Sequence, residues 1–280
     1  MLVAGKVIRV TDTGKRAPID AMTQALPEPL LAFDAVPESL GQALCRLDSI
    51  QARYAAERQA GRILPNVVEA IRVELTYHSN AIEGSTLSLR DTQLVLEGRA
   101  PSGKSMRELY EARNHDRALR EIEEWVAKRS QQAPVTERDL LDIHAIVLTD
   151  IDAAAGRFRS ERVLITGTHF VPPGGHKFPE LIPRMVGLAN RDGVHPVIAA
   201  AEFHYNVAAV HPFADGNGRT ARLMMNYLLL RSGFPHSVID VAERSEYLAA
   251  LDEANSGRWE RFALFVAGSV ERSIQKLLGT

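Results

Sequence analysis

Residues 211–222 of the chain read HPFADGNGRTAR, and this short stretch gathers a histidine, an aspartate, a turn flanked by glycines and two arginines. Pro212 disfavours helical geometry at the residue before it, so a helix that precedes the stretch should end at His211. Gly216 and Gly218 permit left-handed dihedrals, which turn successive backbone N–H groups toward one anion. The stretch therefore predicts a helix end followed by an anion-binding turn.

The sequence after this turn predicts a buried helix that begins at Asn217, because Asn is a preferred N-cap residue. Apolar residues occupy nearly every face of this helix, namely Leu223, Met224, Met225, Tyr227, Leu228, Leu229 and Leu230. Such a helix lies in the core, and its N-terminus offers a positive dipole end and free N–H groups. Arg219 and Arg222 fall on one face of the first turn. Positive charge at a helix start is unfavourable on its own, so this pair indicates a bound anion.

The same stretch resembles the motif of the Fic family (filamentation induced by cAMP), H-x-F-x-D/E-G-N-G-R-x-x-R, at every fixed position. The resemblance implies an all-α fold, a Fic-type helical bundle that carries a small β-hairpin flap. It also implies a protein adenylyltransferase, which transfers AMP from ATP to a Ser, Thr or Tyr hydroxyl of a target protein. ATP would be the cosubstrate and Mg²⁺ the cofactor.

The resemblance also assigns a role to each residue of the motif. His211 would deprotonate the attacking hydroxyl, and Asp215 would hold a Mg²⁺ that bridges the α- and β-phosphates. The other positions would bind phosphate oxygens: Gly216, Asn217 and Gly218 as the anion nest, and Arg219 and Arg222 on the outer phosphates. A histidine base suits neutral pH because its unperturbed pKa is about 6.5. One aspartate is enough for Mg²⁺ when phosphates supply other ligands.

Residues 79–84, SNAIEG, match the inhibitory pattern of the same family, S/T-x-x-x-E-G/N. Apolar residues at helical spacing predict an inhibitory helix over about 64–83, which places Glu83 at the helix end. A carboxylate there opposes the helix dipole and favours a cationic partner. The resemblance names Arg222 as this partner, so Glu83 would autoinhibit the enzyme by excluding the γ-phosphate. Whether Glu83 is a brake, a hydrolytic base that removes AMP, or both stays open.

Residues 163–173, VLITGTHFVPP, combine β-favouring residues with a central glycine and a closing pair of prolines. This pattern predicts a small β-hairpin. It resembles the flap of the family, on which the segment carrying the target hydroxyl docks by strand addition. Because strand addition reads little side-chain sequence, the target protein and the modified residue are not predicted.

Composition sets the frame for these motifs. With 280 residues, 45% of them hydrophobic, the chain can bury a large core. A net charge of −2 gives no electrostatic footprint for nucleic acid, and a single cysteine, Cys45, excludes an intramolecular disulfide. No apolar run is long enough to span a membrane, so we expect a cytoplasmic protein. Residues 1–40 predict an extended N-terminal arm, and residues 41–280 a Fic domain that includes the inhibitory helix, the flap and the C-terminal helices.

Several alternatives stay open. The same fold could transfer UMP, GMP or phosphocholine instead of AMP. A different class of function is a regulatory or toxin–antitoxin binding module with negligible turnover. The sequence also leaves open whether the chain modifies itself and whether it forms a homodimer.

Overall fold

A computed structural model describes Ile8–Arg9 and residues 30–280, and within this part of the chain ten α-helices carry nearly all of the regular structure. In chain order the helices are α1 (Glu38–Gln59), α2 (Pro65–Ile82), α3 (Leu89–Leu96), α4 (Met106–Lys128), α5 (Glu137–Val147), α6 (Phe178–Ala189), α7 (Pro196–Val210), α8 (Asn217–Arg231), α9 (Arg244–Ala254) and α10 (Glu260–Leu278). The predicted all-α fold is confirmed. Most of the predicted 1–40 arm lies outside the described residues.

Helices α7 and α8 form the centre of the molecule. From Asn217 to Leu229 every residue of α8 is buried except Gly218, as the apolar sequence predicts. Helix α7 packs along α8, while α4 and α5 contact α8 from other sides. Because its flanks are covered by other helices, the start of α8 is held firmly in place. None of the helices in the described residues is long and apolar enough to cross a bilayer.

Local sequence signals fix the ends of the helices around this core. Helices α4 and α5 begin with capping boxes, at Ser105 with Glu108 and at Thr136 with Asp139, as their spacing predicts. Helix α2 begins with Pro65 and ends at Ile82, so that Glu83 is its C-cap residue. The next residue, a glycine, has φ = +99° and turns the chain away.

The start of α8 differs from the prediction in one respect. Its N-cap is Gly216, with φ = +75°, and not Asn217. The side chain of Asn217 instead bonds backward, accepting from the N–H of Phe213 (2.9 Å) and donating to the carbonyl of that residue (2.8 Å). The amide satisfies both backbone groups of a buried loop residue, which a capping interaction would leave unpaired.

The flap also differs from the predicted hairpin. Within residues 163–173 only Val163–Leu164 forms a strand, β2, and it pairs antiparallel with β1, Ile8–Arg9. The second half of the run does not pair back, since Gly167 turns the chain at φ = +92° and the two closing prolines lack N–H donors. The edge of β2 is thus covered by the N-terminal part of the same chain.

Candidate active site

His211 occupies an unusual backbone position at the end of α7. Its φ and ψ are +49° and +56°, in the left-handed region, and its N–H donates to the carbonyl of Val207 at 3.0 Å. For a residue with a Cβ, this conformation costs roughly 1–2 kcal/mol. It ends the helix at the residue that the following Pro212 predicts, and it leaves the His211 side chain on the wall of a cavity.

The surroundings of His211 keep its imidazole neutral. Burial lowers the pKa of His211 to about 4, and the positive charge of Arg159 acts in the same direction, although the Ala208 carbonyl opposes both. Nδ1 lies 3.2 Å from that carbonyl. Because a carbonyl oxygen only accepts, Nδ1 carries the proton in this bond and Nε2 remains unprotonated. The histidine is therefore set up to take a proton.

An anion-binding turn follows His211 directly. The first helical bond of α8 runs from the N–H of Thr220 to the carbonyl of Gly216 at 2.9 Å. The N–H groups of the three preceding residues therefore lie free at the helix start. Two of these residues, Asn217 and Gly218, line the same cavity as His211. A helix N-terminus with free N–H groups is a general phosphate-binding arrangement.

The cavity has a volume of about 260 Å³ and joins this turn to the flap and to an apolar wall. Residues 165–168 of the flap border it on one side, and Tyr205, Leu248 and Leu251 border it on the other. The hydroxyl of Thr168 donates to Asp252 at 2.6 Å, which ties the flap to α9. One end of the cavity thus suits an anion, and the other suits a flat apolar group.

Asp215 stands in a closed ring of charges. Its carboxylate accepts from Arg107 and lies 3.5 Å from Arg219, while Glu111 pairs with the same two arginines at 3.0 and 3.2 Å. Burial raises the pKa of Asp215, but Arg219, the Gly216 N–H and Arg107 together outweigh burial, so that the pKa is lowered. Asp215 is therefore an anion whose present partners are all cations or N–H donors.

Glu83 reaches the cavity from the end of α2 and binds Arg222. The distance between its Oε1 and Nη2 of Arg222 is 2.8 Å. Ser79, one turn earlier in α2, accepts from Nε of Arg222 through its hydroxyl and from Nη2 through its carbonyl, both at 2.9 Å. Arg222 also donates to the hydroxyl of Tyr247 at 3.4 Å. Ser79 and Glu83, the two ends of the inhibitory pattern, thus supply three of the hydrogen-bond acceptors around the buried Arg222.

The structure gathers seven of the eight predicted site residues around this cavity: Glu83, His211, Asp215, Gly216, Asn217, Gly218 and Arg222. Arg219 is the exception. Its side chain is 3% exposed and lies behind Asp215, in contact with Glu111. In the sequence this residue shares a helix face with Arg222, but the depth at which α8 is buried cannot be read from that spacing.

Sequence reasoning missed Arg107, Glu111, Tyr247 and Arg244. Arg244 lines the cavity and donates to the carbonyl of Ile82 at 2.9 Å, next to Glu83. The only local signal was the four-residue spacing of Arg107 and Glu111, which is common in exposed helices. All four residues lie outside the motif, in α4 and α9, so no pattern within the motif points to them.

The chain is similar to known proteins of one family. The model of the Fic/DOC family matches residues 134–229. The protein adenylyltransferase Fic of Drosophila willistoni is 36% identical over 240 residues, covering 84% of this chain and 47% of the relative. That of Culex quinquefasciatus is 38% identical over 211 residues, covering 74% of this chain and 41% of the relative. The chain spans about half the length of these curated relatives.

A solved structure extends the likeness to the whole fold. The fragment of Fic-1 from C. elegans that comprises residues 134–508 has a TM-score of 0.75 and 32% sequence identity to this chain. The match covers 86% of this chain and 72% of that fragment. The similarity therefore extends well beyond residues 134–229, the part that the family model matches.

Proposed function

The chain belongs to the Fic/DOC family, and on that premise we propose that it is a protein adenylyltransferase. It would transfer AMP from ATP to a Ser, Thr or Tyr hydroxyl of a target protein. The observation that carries this proposal is one cavity that joins a neutral histidine, the open N-terminus of a buried helix and a carboxylate. Such transfers depend chiefly on positioning and on fixed charges, which this cavity supplies.

His211 would be the general base. The target oxygen forms a bond to the α-phosphorus of ATP, and the bond from this phosphorus to the oxygen bridging to the β-phosphate breaks. Pyrophosphate leaves, and the hydroxyl proton moves to Nε2 of His211. The lowered pKa of His211 supports this role, since the ring is neutral before the reaction at physiological pH.

The phosphates would lie against Gly216, Asn217 and Gly218. Free N–H groups and the positive dipole end of α8 favour negative charge at this point. Arg222 would reach the outer phosphates once Glu83 leaves it. Arg219, being buried, would act through Asp215 and the helix start instead of touching the nucleotide.

The residues present also fit a Mg²⁺ that arrives with the nucleotide. Asp215 is 32% exposed at the cavity edge, and no cluster of three or more potential ligands occurs in the described part of the chain. Mg²⁺ is commonly held by one or two carboxylates together with substrate phosphates. Asp215 would hold the ion, which when bound would neutralise charge on the phosphates.

Glu83 would be the brake on this reaction. Its carboxylate lies at the phosphate-binding turn and holds the arginine that outer phosphates would need. An anion in that position repels a second anion, so ATP would bind poorly or in an unproductive pose. The target segment would dock on the flap, whose residues border the cavity beside His211.

The proposal is tested by incubating the protein with labelled ATP, GTP, UTP or CTP and measuring, by intact mass, which nucleotide group is transferred. Glu83→Ala should raise AMP incorporation by at least about tenfold, which corresponds to about 1.4 kcal/mol of lost competition. Adding His211→Ala should abolish it. Glu74→Ala is the matched control, because Glu74 lies in the same helix but binds Lys276 away from the cavity.

Each contrary result removes a different part of the proposal. No gain in Glu83→Ala would reject the brake, and incorporation that persists in the double variant would reject His211 as the base. Preference for another nucleotide would make the chain a different nucleotidyltransferase. Binding of ATP without transfer from any donor would favour the binding module.

A further inference from the structure

Arg159 is a buried arginine outside the sequence motif and outside the nucleotide cavity. Its side chain is 5% exposed, and it is not among the residues that line the cavity. Burial lowers its pKa to about 10, so it stays charged at neutral pH. Among residues 30–280 no carboxylate lies within ion-pair distance of it. The charge of Glu161 acts favourably on Arg159, but the two form no ion pair, so the buried guanidinium needs several good acceptors to remain stable.

All of those acceptors are backbone carbonyls from two segments. On the catalytic side, Nε donates to the carbonyl of His211 at 2.7 Å, and Nη2 donates to that of Val210 at 3.4 Å. The Arg159 backbone N–H also donates to the carbonyl of Pro212 at 3.0 Å. One residue thus holds three consecutive peptide groups around the strained His211.

On the flap side, the same guanidinium holds both ends of the run. Nη1 donates to the carbonyl of Glu161 at 2.5 Å, two residues before β2, and Nη2 donates to that of Pro173 at 2.7 Å. The base of the flap is therefore closed by Arg159 and not by strand pairing within it. A planar guanidinium with five donors can span these positions, whereas an ammonium cannot.

We propose, building on the assigned role of His211, that Arg159 is the positioning residue that couples the flap to the catalytic histidine. It holds His211 in the left-handed conformation and fixes the flap relative to it. A target hydroxyl docked on the flap thereby lies at a set distance from the base. Disturbing Arg159 should change the chemical step but leave ATP binding intact, because Arg159 does not reach the cavity.

The kinetic test uses the Glu83→Ala chain as the active parent. Arg159→Lys, which keeps the charge, and Arg159→Ala should both lower turnover on the order of 10- to 100-fold, as expected for a misplaced catalytic group. The Kd for ATP should stay within about twofold. Arg157→Ala, an exposed neighbour that bonds within its own loop, is the matched control. Full turnover in Arg159→Lys would show that charge alone matters and would overturn the proposal.

A second test needs no catalytic activity, so it separates this proposal from the proposed function. In native-state hydrogen exchange of the unmodified chain, segments 161–173 and 211–216 should open together and respond alike to denaturant. In Arg159→Lys both segments should exchange faster, while α10 stays unchanged. Separate openings in the unmodified chain, or acceleration of only one segment in the variant, would overturn the coupling.

Discussion

Glu83 lies directly against Gly218: a Cβ atom built on Gly218 would be only 2.2 Å from Oε1 of Glu83. Gly218 is thus the residue that lets the carboxylate rest over the start of α8. The same absence of a side chain leaves the helix start open to a phosphate. Under the proposed function, inhibition and nucleotide binding would therefore both depend on this one small position.

This contact predicts that the effect of Gly218→Ala depends on Glu83. In the unmodified chain the new methyl group should displace the flexible Glu83 carboxylate from Arg222 and lower the free energy of unfolding by about 1–3 kcal/mol, the usual cost of losing a hydrogen bond to a charged group. In a Glu83→Ala background the same change should be neutral or stabilise by up to about 1 kcal/mol, because Ala is the better helix former. Urea denaturation of the four proteins measures both effects. Equal effects in the two backgrounds would contradict the contact.

The pKa of His211 predicts an unusually acidic limit to activity. Because burial lowers this pKa to about 4, the base stays neutral well below pH 6.5. In the pH profile of kcat/KM for the Glu83→Ala chain, the fall on the acid side should therefore have its midpoint near pH 4 to 5. A midpoint near 6.5 would show that the imidazole is not shielded as described.

The lowered pKa of His211 also predicts that the folded chain loses stability as the pH falls. Stability should therefore be measured over the same pH range as activity. An unfolded histidine takes up its proton near pH 6.5, whereas His211 and His144 in the folded chain do so near pH 4. Their contribution to stability is present above pH 6.5 and is lost as pH falls toward 4. His211→Asn should flatten this decline, while His169→Asn, at an exposed flap residue, should not.

The ion pair between Arg107 and Asp215 predicts an effect on the metal requirement. Arg107 is 55% exposed, and it would compete with the proposed divalent cation for the Asp215 carboxylate. Arg107→Ala should lower the Mn²⁺ concentration at which half of the ATP-bound protein carries the ion. Electron paramagnetic resonance of Mn²⁺ measures this concentration. We expect a change of about two- to fivefold, since exposed pairs contribute at most about 1 kcal/mol. Arg113→Ala, an exposed change in α4, is the control, and an unchanged requirement in Arg107→Ala would argue against competition.

The pairing of β1 with β2 predicts that the N-terminal part of the chain limits access to the flap. Ile8 aligns with Leu164 in this pairing, and Ile8→Pro removes a backbone donor there. Amide protection at Val163–Leu164 should fall, and modification of a target at subsaturating concentration should rise several-fold. Ile8→Val keeps the strand and is the control. Unchanged protection in Ile8→Pro would mean that this strand does not cover the flap edge.

The sequence predicted those parts of the structure that depend on neighbours along the chain. Pro212 set the end of α7, the apolar run set the burial of α8, and two capping boxes set the starts of α4 and α5. The pairing of Glu83 with Arg222 was also anticipated, although 139 positions separate the two residues. That anticipation came from the resemblance of two motifs to one family, since no local pattern carries it.

Prediction from the sequence failed where a side chain or a strand forms hydrogen bonds that the local sequence does not specify. Asn217 is a residue type that favours the N-cap, but its side-chain amide bonds the backbone of Phe213, and Gly216 is the N-cap residue instead. Arg159 has no spacing that would connect it to carbonyls some 50 positions later. The flap strand found its partner near the start of the chain rather than within its own run. In each case long-range packing decided between options that are locally equivalent.

The two bonds from Ser79 to Arg222 bear on how the enzyme could be switched. They anchor α2 to the core independently of Glu83, so the carboxylate can rotate away while the helix stays seated. Release then requires only a change of side-chain rotamer, which is far faster than undocking a helix. Under the proposed function, a nucleotide would itself drive that rotation by competing for the arginine, so the brake would respond to ligand concentration without any rearrangement of the backbone.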